Sequence, residues 1–118
     1  MASELAQKEC IPCRGDTPPM SSEQAQQMLK ELENWTIEQE YHLTRTFKFR
    51  DFAEALNFVN RVGDIAEHEN HHPDVHLAYG KVKVEVWTHK INGLTESDFV
   101  FAAKVDAAHE EMRSATAS

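Results

Sequence analysis

The apolar residues of this chain keep two rhythms in turn. Ala25, Met28, Leu29 and Leu32 recur at three- and four-residue steps, which places them on one face of a helix. Ser21-Ser22-Glu23-Gln24 ahead of them has the form of a capping box, and Asn34 ends the pattern. Trp35 and Ile37 then point to one side of an extended segment, and a turn falls near residues 39–41. Beyond it Tyr41, Leu43, Phe47 and Phe49 alternate with His42, Thr44, Thr46 and Lys48, with Arg45 as the interruption on the apolar side. The two segments read as a hairpin with one buried face.

The helical rhythm returns at Asp51, which with Glu54 three residues later marks a helix start. Phe52, Ala55, Leu56, Val59, Val62, Gly63 and Ala66 form its stripe, widened by Phe58 and Ile65. A mid-helix glycine costs about 1 kcal/mol relative to alanine, so a close neighbour, most simply another backbone, is expected at Gly63. Pro73 pushes His72 out of the helical region, and the helix should end near Glu69 or Asn70. Val75 to Tyr79 reads as a short strand and Gly80-Lys81 as a turn. From Lys81 to His89 the chain alternates, with Val82, Val84 and Val86 facing one way and Lys83, Glu85, Trp87 and His89 the other. After a loop at residues 91–94, Thr95 and Asp98 cap a last helix running to about Met112. That helix is apolar on more than one side, which predicts one side on the sheet and another against a partner subunit. The order helix, strand, strand, helix, strand, strand, helix defines an α+β fold, a four-stranded antiparallel sheet with three helices packed on one face.

Composition narrows the picture. At 118 residues the chain supports one domain with a real core and is too short for two of ordinary size. The patterned part is 21–113. Residues 1–20, with Pro12, Gly15, Pro18 and Pro19 and little periodicity, read as a flexible leader, and 114–118 as a short tail. No apolar run is long enough to cross a membrane or act as a secretory signal, so the expectation is a cytoplasmic protein without a membrane partner. A formal charge of −8 with scattered Lys and Arg argues against a nucleic-acid surface. Cys10-Ile11-Pro12-Cys13 offers only half the ligands of a zinc site and lacks the strand-to-helix setting of a redox pair, which leaves a reduced thiol pair in the leader.

The chemistry gathers at Glu67-His68-Glu69-Asn70-His71-His72-Pro73, where two adjacent imidazoles stand at the end of the longest helix. Imidazole, with an unperturbed pKa of about 6.5, both gives and takes protons near neutrality. The wider spacing, Glu67-x3-His71-His72-Pro73-x5-Tyr79-x9-His89-x8-Asp98, resembles the signature of the pterin-4a-carbinolamine dehydratases, and the likeness runs from about Ser21 to Met112. The resemblance implies an enzyme that removes water from a 4a-hydroxytetrahydropterin, giving the quinonoid dihydropterin and so recycling the cofactor of aromatic amino-acid hydroxylases. It also implies a homodimer or homotetramer, a small-molecule pterin as partner, and no metal or organic cofactor.

By that resemblance His71, His72 and His89 are the site histidines, with His71 and His89 as the proton-transfer pair and His72 shaping the pocket. Glu67, four residues before His71, can orient an imidazole. Asp98 caps its helix and supports the site, and Trp35 matches an aromatic on which a pterin could stack. Tyr79 takes no catalytic role, and His42, His68, His76 and His109 are expected at the surface. Two other readings compete. Glu67, His71, His72, His76 and His89 could ligate a transition metal, although adjacent histidines do not readily face one ion and no His-Glu-x-x-His pattern is present. The chain could also be a non-enzymatic oligomeric module that binds another protein.

Overall fold

The computed structural model describes residues 5–8, 10, 18–39 and 41–117. Its elements are α1 (Ser22–Leu29), β1 (Thr36–Glu38), β2 (His42–Lys48), α2 (Phe52–Glu69), β3 (Asp74–Ala78), β4 (Lys81–Val86) and α3 (Glu96–Ala117). The four strands form one antiparallel sheet, as the alternation of helical and strand rhythms predicts, and lie in the order β1-β2-β4-β3. Leu43 and Phe47 of β2 and Val82, Val84 and Val86 of β4 are fully or almost fully buried on the helix-covered face. Phe99, Phe101, Val105, Phe58 and Val62 meet them from α3 and α2. No helix among the described residues is long and apolar enough to cross a membrane.

The caps form where local chemistry puts them. Ser21 and Gln24 complete a reciprocal capping box on α1, and the Asp51 side chain accepts from the Glu54 amide to open α2. α2 ends at Asn70, which takes the left-handed conformation (φ 53°) that asparagine tolerates better than most residues. Gly80 (φ 73°) supplies the turn between β3 and β4, and its carbonyl accepts from the Phe49 amide at 2.7 Å.

Several expectations are corrected. The buried face of α2 is Ala55, Phe58, Val62 and Ala66, whereas Phe52 and Leu56 are exposed, because the sheet touches the helix along the Phe58 side of the stripe. Among the described residues nothing outside the helix's own backbone lies within 4 Å of where a Gly63 side chain would be, so the close neighbour expected there is not found among them. β4 stops at Val86 and β3 is set one residue earlier than the apolar pattern implies. Thr88 makes an isolated bridge to Gly93, and His89–Ile91 turn as a 3₁₀ helix. α3 continues through Ala117, since Ser114-Ala115-Thr116-Ala117 holds neither glycine nor proline to stop it. The leader is described in part: Leu5–Gln7 form a 3₁₀ turn against α3, and Lys104 Nζ donates to the Ala6 carbonyl at 2.8 Å. Cys13, and with it the pairing of Cys10 and Cys13, lies outside the described residues. The Cys10 thiol is pushed up to about 12, by burial first and then by the charge of Glu69.

His109 and His42 also differ from the surface placement expected of them. The His109 ring packs on Phe47, Phe49 and Phe58 with centroids 4.9, 5.7 and 5.7 Å away. Burial, then the positive charges of Arg45 and Arg113, hold it below the ordinary histidine value of 6.5. His42 is largely covered by aromatic rings, as described below.

Candidate active site

Asp98 is the most buried polar group near the histidines, with no exposed surface. It sits in the first turn of α3 because Thr95 and Asp98 close that end of the helix: Asp98 Oδ2 accepts from the Thr95 amide at 2.9 Å. The same oxygen accepts from Thr88 Oγ1 at 2.8 Å, and the Thr88 and Thr95 hydroxyls lie 3.2 Å apart. The other oxygen, Oδ1, accepts from His71 Nε2 at 2.6 Å. A buried carboxylate with donors on both oxygens stays satisfied, and the short contact is of the charge-assisted kind. It fixes which imidazole nitrogen of His71 faces the protein and leaves the other for a ligand.

The left-handed turn at Asn70 separates the two adjacent imidazoles. The His71 amide donates back to the Ala66 carbonyl, and the ring turns inward to Asp98 beside Phe101. His72 is exposed and its Nε2 meets Glu67 Oε2 at 2.6 Å. The two rings therefore address different carboxylates. Glu67, which the spacing places four residues before His71, serves His72 instead.

His89 reaches the same place from the other side of the sheet's end. Residues 70–74 and 87–90 line a cavity of about 440 Å³, so His71, His72 and His89 share it. Thr88 points inward to Asp98 while its neighbours Trp87 and His89 face the opposite way, a continuation of strand alternation past the end of β4. Trp35 does not line this cavity. It is buried in the core, edge-on to Phe47, and its Nε1 donates to Asp106 Oδ1 at 2.8 Å. Burial raises the Asp106 carboxyl above its ordinary 3.8 despite the bonds from Trp35 and Arg45. The aromatic at the cavity is Trp87, and Thr88, Lys90 and Asp74 join it there. Trp87 stands in the sequence on the polar side of an alternating strand, the one available signal for it. His76 lies away from the cavity, bonded to Glu85 at 3.0 Å. Among the described residues no three His, Cys, Asp or Glu side chains converge as metal ligands.

The sheet and its three helices agree with what comparison finds. Residues 18–108 match the family profile for pterin 4 alpha carbinolamine dehydratase, and the chain belongs to that family. A protein of Rubrobacter xylanophilus, named among the pterin-4-alpha-carbinolamine dehydratases, is 57% identical over 88% of this chain and 97% of its own. A similarly named protein of Alkaliphilus metalliredigens is 52% identical over 92% and 99%. A crystal structure titled transcriptional coactivator/pterin dehydratase from Brucella melitensis superposes with TM-score 0.72 at 34% identity, covering 76% of this chain and 97% of that one. A pterin dehydratase-like protein described as a RuBisCO assembly factor in the alpha-carboxysome shares the fold, with TM-score 0.57, 23% identity and coverage of 64% and 89%.

Proposed function

We propose that this protein dehydrates 4a-hydroxytetrahydropterin to the quinonoid dihydropterin by histidine acid–base catalysis, recycling the tetrahydropterin used by aromatic amino-acid hydroxylases. The observation that carries the reading is the His71–Asp98 pair, buried behind a cavity that His72 and His89 also line. The reaction breaks one C–O bond. An acid protonates the departing hydroxyl, the adjacent ring nitrogen pushes it out as water, and a base takes the proton from that nitrogen. Two imidazoles meet both needs, and such groups contribute about 10²–10⁴-fold when well placed. His71, oriented through Asp98, and His89 are the proton-transfer pair. His72, held by Glu67, binds substrate at the rim. The chemistry calls for neither metal nor organic cofactor.

The test is dehydration of enzymatically generated 4a-hydroxytetrahydrobiopterin, followed by absorbance against the spontaneous rate. The native protein should accelerate it, and His71→Ala and His89→Ala should each lose about a hundredfold, the scale of one acid or base group. A folded native protein that leaves the spontaneous rate unchanged would sink the reading.

A homodimer or homotetramer, with the protein in the cytoplasm, completes this reading. Phe52 and Leu56, exposed on the same helix as Gly63, beside which the described residues leave open space, support assembly through α2. The same apolar residues favour a second role compatible with the first, contact with a protein partner, in keeping with the coactivator title of the Brucella structure.

A further inference from the structure

Three rings are stacked at the edge of the cavity. The Trp87 indole lies between His42, whose centroid is 3.9 Å away with planes 5° apart, and His89, at 4.4 Å and 11°. The register explains the arrangement. Leu43 of β2 pairs with Val86 of β4, so His42 and Trp87 are the next cross-strand neighbours on the outer face. His89, two residues beyond Trp87, returns to that face. Tyr41 stands edge-on to both His42 and Trp87, at 4.9 and 6.4 Å. The His42 Nδ1 is inaccessible and lacks a hydrogen bond, with Glu85 Oε2 3.5 Å away.

We infer that Trp87, backed by His42, is a positioning residue that fixes the His89 imidazole for proton transfer; this rests on the dehydratase reading above. His89 is exposed and lies on a short 3₁₀ turn with no side-chain cap. Without the indole its ring would sample several rotamers, and each misplacement lengthens the path of the proton. A flat indole face removes that freedom. It also stabilises the imidazolium formed whenever His89 holds a second proton, because the negative face of an indole is the best of the aromatic partners for a cation. The His42 ring on the far face keeps the indole from turning away. Nothing in this role requires His42 or Trp87 to touch the pterin.

The experiment combines spectra with kinetics on the full chain. With labelled histidines, the ring protons of His42 and His89, assigned through His42→Gln and His89→Gln, should resonate upfield because the indole ring current shields them. Trp87→Ala should abolish that shift. It should lower kcat for dehydration about tenfold to a hundredfold with KM little changed, the scale of a misoriented catalytic group. Trp87→Phe, which keeps a flat ring, should restore kcat to within about fivefold of native, since it returns most of that orientation. His42→Ala, which preserves the indole and removes its backing, should cost about threefold to tenfold, and it decides the question should Trp87→Ala fail to fold. Native turnover that neither Trp87→Ala nor His42→Ala lowers, or His89 resonances that Trp87→Ala leaves in place, would overturn the inference and leave the dehydratase reading standing. A native protein without turnover would overturn both, whatever the spectra show.

Discussion

Replacing Asp98 by alanine would strip the acceptor from His71, Thr88 and the Thr95 amide together, in a place water does not reach. Leaving such donors unpaired costs about 1–3 kcal/mol each at the upper end of ordinary hydrogen-bond deletions. Asp98→Ala should therefore lower the urea midpoint clearly, and Asp98→Asn should lower it less while still losing most of the turnover, since an amide does not charge-assist His71. His109 gives a second expectation at this scale. Its folded value lies below 6.5, so the native state binds fewer protons than the unfolded chain in the window just beneath that value. Stability from this group is present above about 6.5 and is lost as pH falls through the folded value. His109→Gln should flatten that decline, as measured by denaturation at a series of pH values. The Cys10 thiol, pushed up to about 12, should react with iodoacetamide much more slowly at neutral pH than an ordinary cysteine.

At the scale of elements, the type and order of the three α-helices and four strands are legible because period two and period three-to-four alternate along the chain, whereas the 3₁₀ turns at Leu5–Gln7 and His89–Ile91 carry no such rhythm. What was not legible came from tertiary contact. Phe52 and Leu56 satisfy the helical stripe as well as Ala55 and Phe58 do, and only the position of the sheet decides which are buried. The spacing of Glu67 and His71 pointed to one pair, but the left-handed turn at Asn70 rotates the chain and hands Glu67 to His72. The capping role of Asp98 could be read from Thr95, whereas its bond to His71 joins residues 27 apart in sequence. Trp35 was read for the cavity because of a family likeness, and its tie to Asp106 in α3 places it elsewhere. The turn at Asn70 yields its own expectation. Asn70→Gly should be tolerated, while Asn70→Val should destabilise by about 1–2 kcal/mol, the cost of a left-handed residue with a branched side chain, and should reduce turnover by moving both imidazoles. Calorimetry and the dehydration assay together would check it.

At the scale of the whole molecule, the cavity is lined by two separate stretches, the turn after α2 and the turn after β4, and backed by a third, the start of α3. Each is also held from behind by the chain preceding α1. The Cys10 amide donates to Glu69 at the end of α2, and its thiol to the Ser97 carbonyl at the start of α3. The Met20 amide donates to the Leu94 carbonyl at 2.8 Å, and Gly93 is so close to Pro19 that an added Cβ would stand 2.5 Å from the proline side chain. The loop carrying His89 is thus buttoned to residues 19 and 20, just ahead of the α1 cap at Ser21. A shortened protein beginning at Ser21 would keep every helix and strand of the sheet layer and still lose that fastening, whereas one beginning at Pro18 would keep it. The smallest working unit is therefore set by a fastening on the loop, a few residues outside the secondary structure, and trimming to the first helix would yield a well-folded protein with a slack site.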